Sequence, residues 1–159
     1  MQLSAHFTLA DMVASATAAR LGIDNTPDTA QIAALAALCT HILEPLRERV
    51  SRPLTVSSGF RSAALNHAVD GAGASQHCRG EAADLVCAGM PAAQLFRTVV
   101  DMALPFDQLI YEGGRRTTWV HVSYRAEHRR GRILRATFSD EGGVLYTELD
   151  TAAARMLIG

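Results

Sequence analysis

The chain has 159 residues, 48% of them hydrophobic and 19% charged, which is the balance of one folded domain and excludes a disordered or low-complexity chain. A formal net charge of −1 gives no overall attraction to nucleic acid or anionic membrane, and all 15 basic residues are arginine. Three cysteines, Cys39, Cys78 and Cys87, are an odd number without a CxxC pair; they read as small apolar fillers in a reducing compartment rather than as a disulfide framework.

In chain order, Thr8 to Asp11 fits a capping box with Phe7 as its staple, so short helices are expected through about Leu21, ending at Gly22. Ile32, Leu35, Cys39, Ile42, Leu43, Leu46 and Val50 recur at helical spacing and give one apolar face, with a kink expected near Glu44 because Pro45 interrupts the pattern. Residues 54–58 read as a strand left at Gly59, and 61–69 as a short helix ending at the turn 70–73. Pro91 opens a helix to about Ala103 with Leu95, Phe96, Val99 and Val100 inward. Strands are expected over 106–111 and 118–124, and a hairpin over 133–138 and 144–149 about the turn SerAspGluGlyGly. Early helices and late strands predict a single α+β domain over 1–159, a helical buttress over about 1–50 beside a small, mainly antiparallel sheet. No run approaches the length of a membrane span, and the start lacks the basic and apolar regions of a secretory signal.

Two segments carry the chemistry. SQHCRGEAADL, 75–85, holds His77 and Asp84, and the small residues Gly80, Ala82 and Ala83 let a loop fold back until the two converge. In TWVHVS, 118–123, a period of two sets Trp119, His121 and Ser123 on one strand face and Val120 and Val122 on the core side. Two imidazoles and a carboxylate suit Zn²⁺ and leave a fourth position for water, the open set that metal-assisted hydrolysis requires. Such hydrolysis also needs a base; Glu112 stands at the end of FDQLIYE, nine residues before His121, with Glu81 as rival.

SSGFRSAALNHAV, SQHCRGEAADL, FDQLIYE and WVHVS, in this order, resemble the zinc D-Ala-D-Ala carboxypeptidase and L-alanyl-D-glutamate endopeptidase family, in particular its phage-associated branch. The opening LSAHFTLADMVASATAARLGIDN and the segment LEPLRERV extend the resemblance over roughly 3–124. The resemblance implies a hedgehog-like zinc peptidase fold with its site region over about 54–124. It also implies one Zn²⁺ per chain on His77, Asp84 and His121, Glu112 as base, and Arg61 as the arginine that binds substrate and stabilises the oxyanion. Thr118 stands where some relatives carry an acid. Ser75, Gln76 and Trp119 are candidate substrate contacts, Ser75 through the SxH pattern. His67 and Asp70 depart from the usual family residues, within a loop.

The implied substrate is the peptidoglycan stem peptide, with D-Ala-D-Ala carboxypeptidase and L-Ala-D-Glu-type endopeptidase activities both open. A phage lysin or tail-associated protein, made in the cytoplasm and acting on the wall after lysis or from the virion, fits this pattern. A monomer is expected, without nucleic-acid partners. The alternative is a non-catalytic zinc-bearing binding or structural tail module, against which Glu112 argues. His6, His41 and His128 read as structural or exposed. The five arginines of 125–135 read first as a solvated basic loop, with attraction of acidic peptidoglycan or another anion as the alternative.

Overall fold

The computed structural model describes residues 1–113, 117–127, 129–139 and 143–158. The expected α+β architecture is present. Short helices α1 (Leu9–Val13) and α2 (Ala16–Leu21) lead to α3 (Thr29–Leu38), a π-helical turn (Cys39–Leu43) and α4 (Glu44–Val50). Strand β1 (Leu54–Ser58), helix α5 (Ala63–Ala68), a 3₁₀ turn (Gln76–Arg79) and β2 (Ala82–Cys87) follow. Then come α6 (Ala92–Asp101), β3 (Gln108–Gly113), β4 (Thr118–Ser123), β5 (Arg132–Phe138), β6 (Val144–Glu148) and α7 (Thr151–Arg155). The six strands make one sheet in the order β1-β2-β4-β3-β5-β6, antiparallel except for the parallel pair β3 and β5.

Local signals account for most boundaries. Thr8 and Asp11 close the capping box. Gly22 ends α2 in the left-handed conformation, at φ 65°. Ser62 caps α5 by accepting from Leu65 N–H. Pro45 acts differently from a simple kink. Its ring would meet the carbonyl of the preceding turn, and the helix answers by widening: Glu44 N–H bonds to Cys39 O, five residues back, before α4 resumes. Helix therefore runs from Thr29 to Val50 without a break, 22 residues long and apolar enough to span a membrane by length and composition, contrary to the sequence expectation. Leu35, Leu38, Cys39, Ile42, Leu43 and Leu46 are all fully buried in the protein core, which explains the apolarity.

One sheet face carries Ala83, Leu85, Leu109, Tyr111, Val120 and Val122 and joins the helices in that core. Burial pushes the Cys39 thiol up to about 12, as fits an inert apolar filler, and Cys87 is buried in the same core cluster. The opposite face carries Asp84, His121, Trp119, Ile110 and Glu112, so the core face fixes what the other face displays.

The segment 75–85 is no folded-back loop. His77 lies on the 3₁₀ turn and Asp84 in the interior of β2, a central strand. Burial alternates from Ala83 to Cys87, but the sequence hides it because the exposed Val86 is apolar and Ala82, on the Asp84 face, is buried. Helix α7 was also not foreseen; it packs against α6 and buries Ala154. Residues 114–116 and 140–142, where the sequence leads one to expect turns, and His128 lie outside the described residues.

Candidate metal centre

Asp84 and His121 are direct cross-strand partners on β2 and β4. The 3₁₀ turn brings His77 over them, and two glycines make that possible. A Cβ on Gly59 would stand 2.3 Å from Met12 O, so only glycine passes there, and Gly59 O then accepts from His77 Nδ1 at 2.7 Å. Gly80 closes the turn at φ +72, where a Cβ would meet Gln31 O at 2.5 Å.

Three potential ligand atoms converge. His77 Nε2 lies 3.2 Å from His121 Nδ1 and 3.4 Å from Asp84 Oδ1, and His121 Nδ1 lies 3.0 Å from Asp84 Oδ1. A carbonyl only accepts, so Gly59 O fixes the proton on His77 Nδ1 and leaves Nε2 as a lone pair in the neutral ring. That lone pair faces a carboxylate oxygen, an arrangement that a shared cation reconciles. Tetrahedral ligands at about 2.0–2.1 Å from zinc stand roughly 3.3–3.4 Å apart, close to the observed triangle. His77, Asp84 and His121 thus fit a zinc ion by spacing and donor type, and the Gly59 carbonyl supplies the outer contact that orients a histidine ligand. Burial by itself would raise the Asp84 carboxyl; the two imidazoles outweigh it and hold the group well below the usual carboxylate range.

The centre lies in a cleft of about 710 Å³ whose lining includes Arg61, Ser75, Gln76, Glu112, Trp119 and His121. Glu112 is on β3, beside Trp119 of β4, on the same sheet face as His121. Burial pushes its pKa up, as does the Asp84 charge, while His121 and Arg61 oppose the rise. Glu81 lies elsewhere: Arg79 holds its carboxylate at 2.9 Å and Arg125 approaches at 3.8 Å. Thr118 falls on the opposite side of β4 from His121.

Arg61 is anchored through its backbone. Its N–H donates to His77 O at 3.2 Å, and Asn25 grips the residues on either side, accepting from Ser62 N–H at 2.7 Å and donating to Phe60 O at 3.0 Å. The Arg61 Nε donor is buried without a partner among the described residues. Ser75 caps the 3₁₀ turn, its hydroxyl accepting from His77 N–H at 3.3 Å. The Gln76 amide is engaged, donating from Nε2 to Asp107 Oδ2 at 2.9 Å. Asp107 is fully buried and also accepts from Arg130 N–H and Nε at 2.9 and 3.0 Å. Burial would raise this carboxyl, but Arg130 and Gln76 bring it down to about 2.

Asn25 and the Asp107–Arg130 pair were not legible as site supports, since one lies in a turn-like stretch and the other joins residues 23 positions apart. Of the basic segment, Arg130 is tied to Asp107, Arg132 to Glu148 at 3.2 Å and Arg129 to the Tyr124 ring, which leaves no collective anion patch among these three. His6 pairs with Glu44 at 2.8 Å, and His41 stacks on Tyr124 with centroids 4.7 Å apart, both apart from the centre. His67 and Asp70 are exposed.

A His-Asp-His triangle with a half-buried glutamate beside it, on an α+β sheet, defines the site class of a metallopeptidase. The family model described as Peptidase M15 matches residues 5–123, and the chain belongs to this family of zinc D-Ala-D-Ala carboxypeptidase-like peptidases. Comparison with curated proteins gives no significant match.

Proposed function

We propose that the protein hydrolyses peptide bonds in the stem peptides of bacterial peptidoglycan, with one Zn²⁺ held by His77, Asp84 and His121. The observation that carries this reading is the triangle of three ligand atoms 3.0–3.4 Å apart, open to a cleft that also contains Glu112. Bound zinc supplies Lewis-acid polarisation of the scissile carbonyl and lowers the pKa of water. The Glu112 carboxylate takes the proton of the attacking water and returns it to the departing nitrogen; its half-buried position keeps it a stronger base than a solvated glutamate. Arg61, whose side chain lines the cleft beside the ligands, holds the carbonyl oxygen as negative charge develops. Trp119 forms a wall of the binding cleft. Ser75 and Gln76 act chiefly by fixing the turn that presents His77.

Between the two cleavage modes, the geometry favours an endopeptidase. The cleft lining runs from Trp119 and His121 of β4 to Arg125, just beyond the end of that strand, so it continues on both sides of the ligands. A phage lysin or tail-associated role, exerted on the wall after lysis or from the virion, is the biological setting that the motif order supports. The non-catalytic alternative leaves the placement of Glu112 without a purpose.

The test is to incubate the zinc-loaded protein with purified peptidoglycan fragments and identify the products by mass spectrometry. New amino termini at one internal stem-peptide bond are expected, and fragments left intact by zinc-saturated protein would contradict the proposal. Release only of a terminal residue, abolished by amidating the peptide carboxylate, would instead establish a carboxypeptidase.

A further inference from the structure

Strand β6 is one edge of the sheet, and all five of its residues are exposed. Edge strands are ordinarily guarded by charge or proline, yet this one begins Val144, Leu145, Tyr146, exposed by 42%, 67% and 53%. The register explains where they face. Trp119 pairs with Glu112, Glu112 with Ala136, and Ala136 with Tyr146, so these four form one row across β4, β3, β5 and β6 on the cleft side. Glu112 and Tyr146 are two strand spacings apart, roughly 9–10 Å at the backbone. Ala136, whose side chain is a single methyl group, is the residue paired between them.

Phe138 and Val144, paired with each other, line the same end of the cleft, and the Phe138 ring lies 6.2 Å from that of Trp119. Among the described residues the Tyr146 hydroxyl makes no hydrogen bond. Burial and the charges of Glu112 and Asp84 raise its pKa, so the phenol keeps its proton and acts as a donor at neutral pH.

We propose that Tyr146 is a substrate-binding residue of this cleft, its ring covering the bound peptide and its O–H donating to a peptide carbonyl oxygen on the Glu112 side of the metal ligands. An aromatic with a polar tip suits this position, because one side of a peptide chain offers apolar groups and the backbone offers acceptors. The inference rests on the stem-peptide reading above.

The test uses the sole tryptophan, Trp119, as a reporter inside the cleft. A synthetic stem tetrapeptide is titrated into the zinc-loaded Glu112→Gln protein, with and without Tyr146→Phe, while tryptophan emission is followed. Tyr146→Phe keeps the ring, so it should bind about three- to tenfold more weakly through loss of one hydrogen bond, at unchanged zinc content. Leu145→Ser, on the other face of the same strand, should bind like its parent. Equal affinity with and without the hydroxyl would overturn the proposal, as would the absence of any emission change. Peptide binding that depends on Tyr146, without amine release by the Glu112-containing protein, would support the subsite and overturn only the peptidase reading.

Discussion

Asp84 and His121 face each other across the β2–β4 pair, Oδ1 3.0 Å from Nδ1, as nearest neighbours in register. Their meeting is fixed by the core on the other side of the sheet, because a one-residue slip of β4 would turn Val120 and Val122 off the core and His121 into it, and a slip of β2 would do the same to Ala83, Leu85 and Asp84. Only His77 comes from outside the sheet, and Gly59, Gly80 and Ser75 fix its approach.

From this follows the metal prediction. Purified protein should hold about one zinc per chain, and His77→Ala or His121→Ala should lose most of it. Chelation should lower the melting temperature of the wild type and leave the His77→Ala, His121→Ala double variant nearly unaffected, since only the folded wild type binds the ion. Elemental analysis and thermal melts check both. Stoichiometric zinc in the double variant would remove the assignment.

Arg61 and Asn25 are linked predictions. Arg61→Lys keeps the charge but loses the planar fork, so turnover should fall at unchanged zinc and stability. Asn25→Ala removes the bonds to Ser62 N–H and Phe60 O that fix the backbone on either side of Arg61. It should lower kcat/KM in the Arg61 protein and cost much less in the Arg61→Lys background, where the guanidinium is already absent. Additive losses in the double variant would show that Asn25 does not act through Arg61.

Asp107 yields a pH dependence. Its carboxyl titrates at about 2 when folded, against about 3.9 unfolded. The carboxylate therefore contributes about 2–3 kcal/mol, present above the unfolded value and lost as pH falls through the folded one. Asp107→Asn should be less stable than wild type at pH 7 by about that amount, with the gap narrowing between roughly pH 4 and pH 2. Urea melts across this window measure it, and a gap that stays constant would mean that Asp107 contributes nothing through its charge.

The sequence showed the site more readily than its supports. His121 stood out because β4 alternates, with valines inward and polar groups outward, and the Thr8 and Gly22 signals marked helix ends through purely local chemistry. Strand β2 was obscured because burial alternates from Ala83 to Cys87 while hydrophobicity does not: the exposed Val86 is apolar, and Ala82, on the Asp84 face, is buried. The roles of Asp107, Asn25 and Tyr146 depend on contacts or register between distant segments, which no local pattern encodes.

The most direct measurement of the central claim is turnover per bound zinc in Glu112→Gln and Glu81→Gln, on one stem peptide at saturating concentration. Glu112 stands in the cleft beside Trp119, its carboxyl raised by burial, whereas Glu81 is paired with Arg79. Glu112→Gln should retain zinc and fold but lose roughly two to four orders of magnitude in turnover, the range for a positioned acid–base group. Glu81→Gln should remain near wild type. An active Glu112→Gln with zinc bound would contradict the account, most sharply if Glu81→Gln were the inactive one.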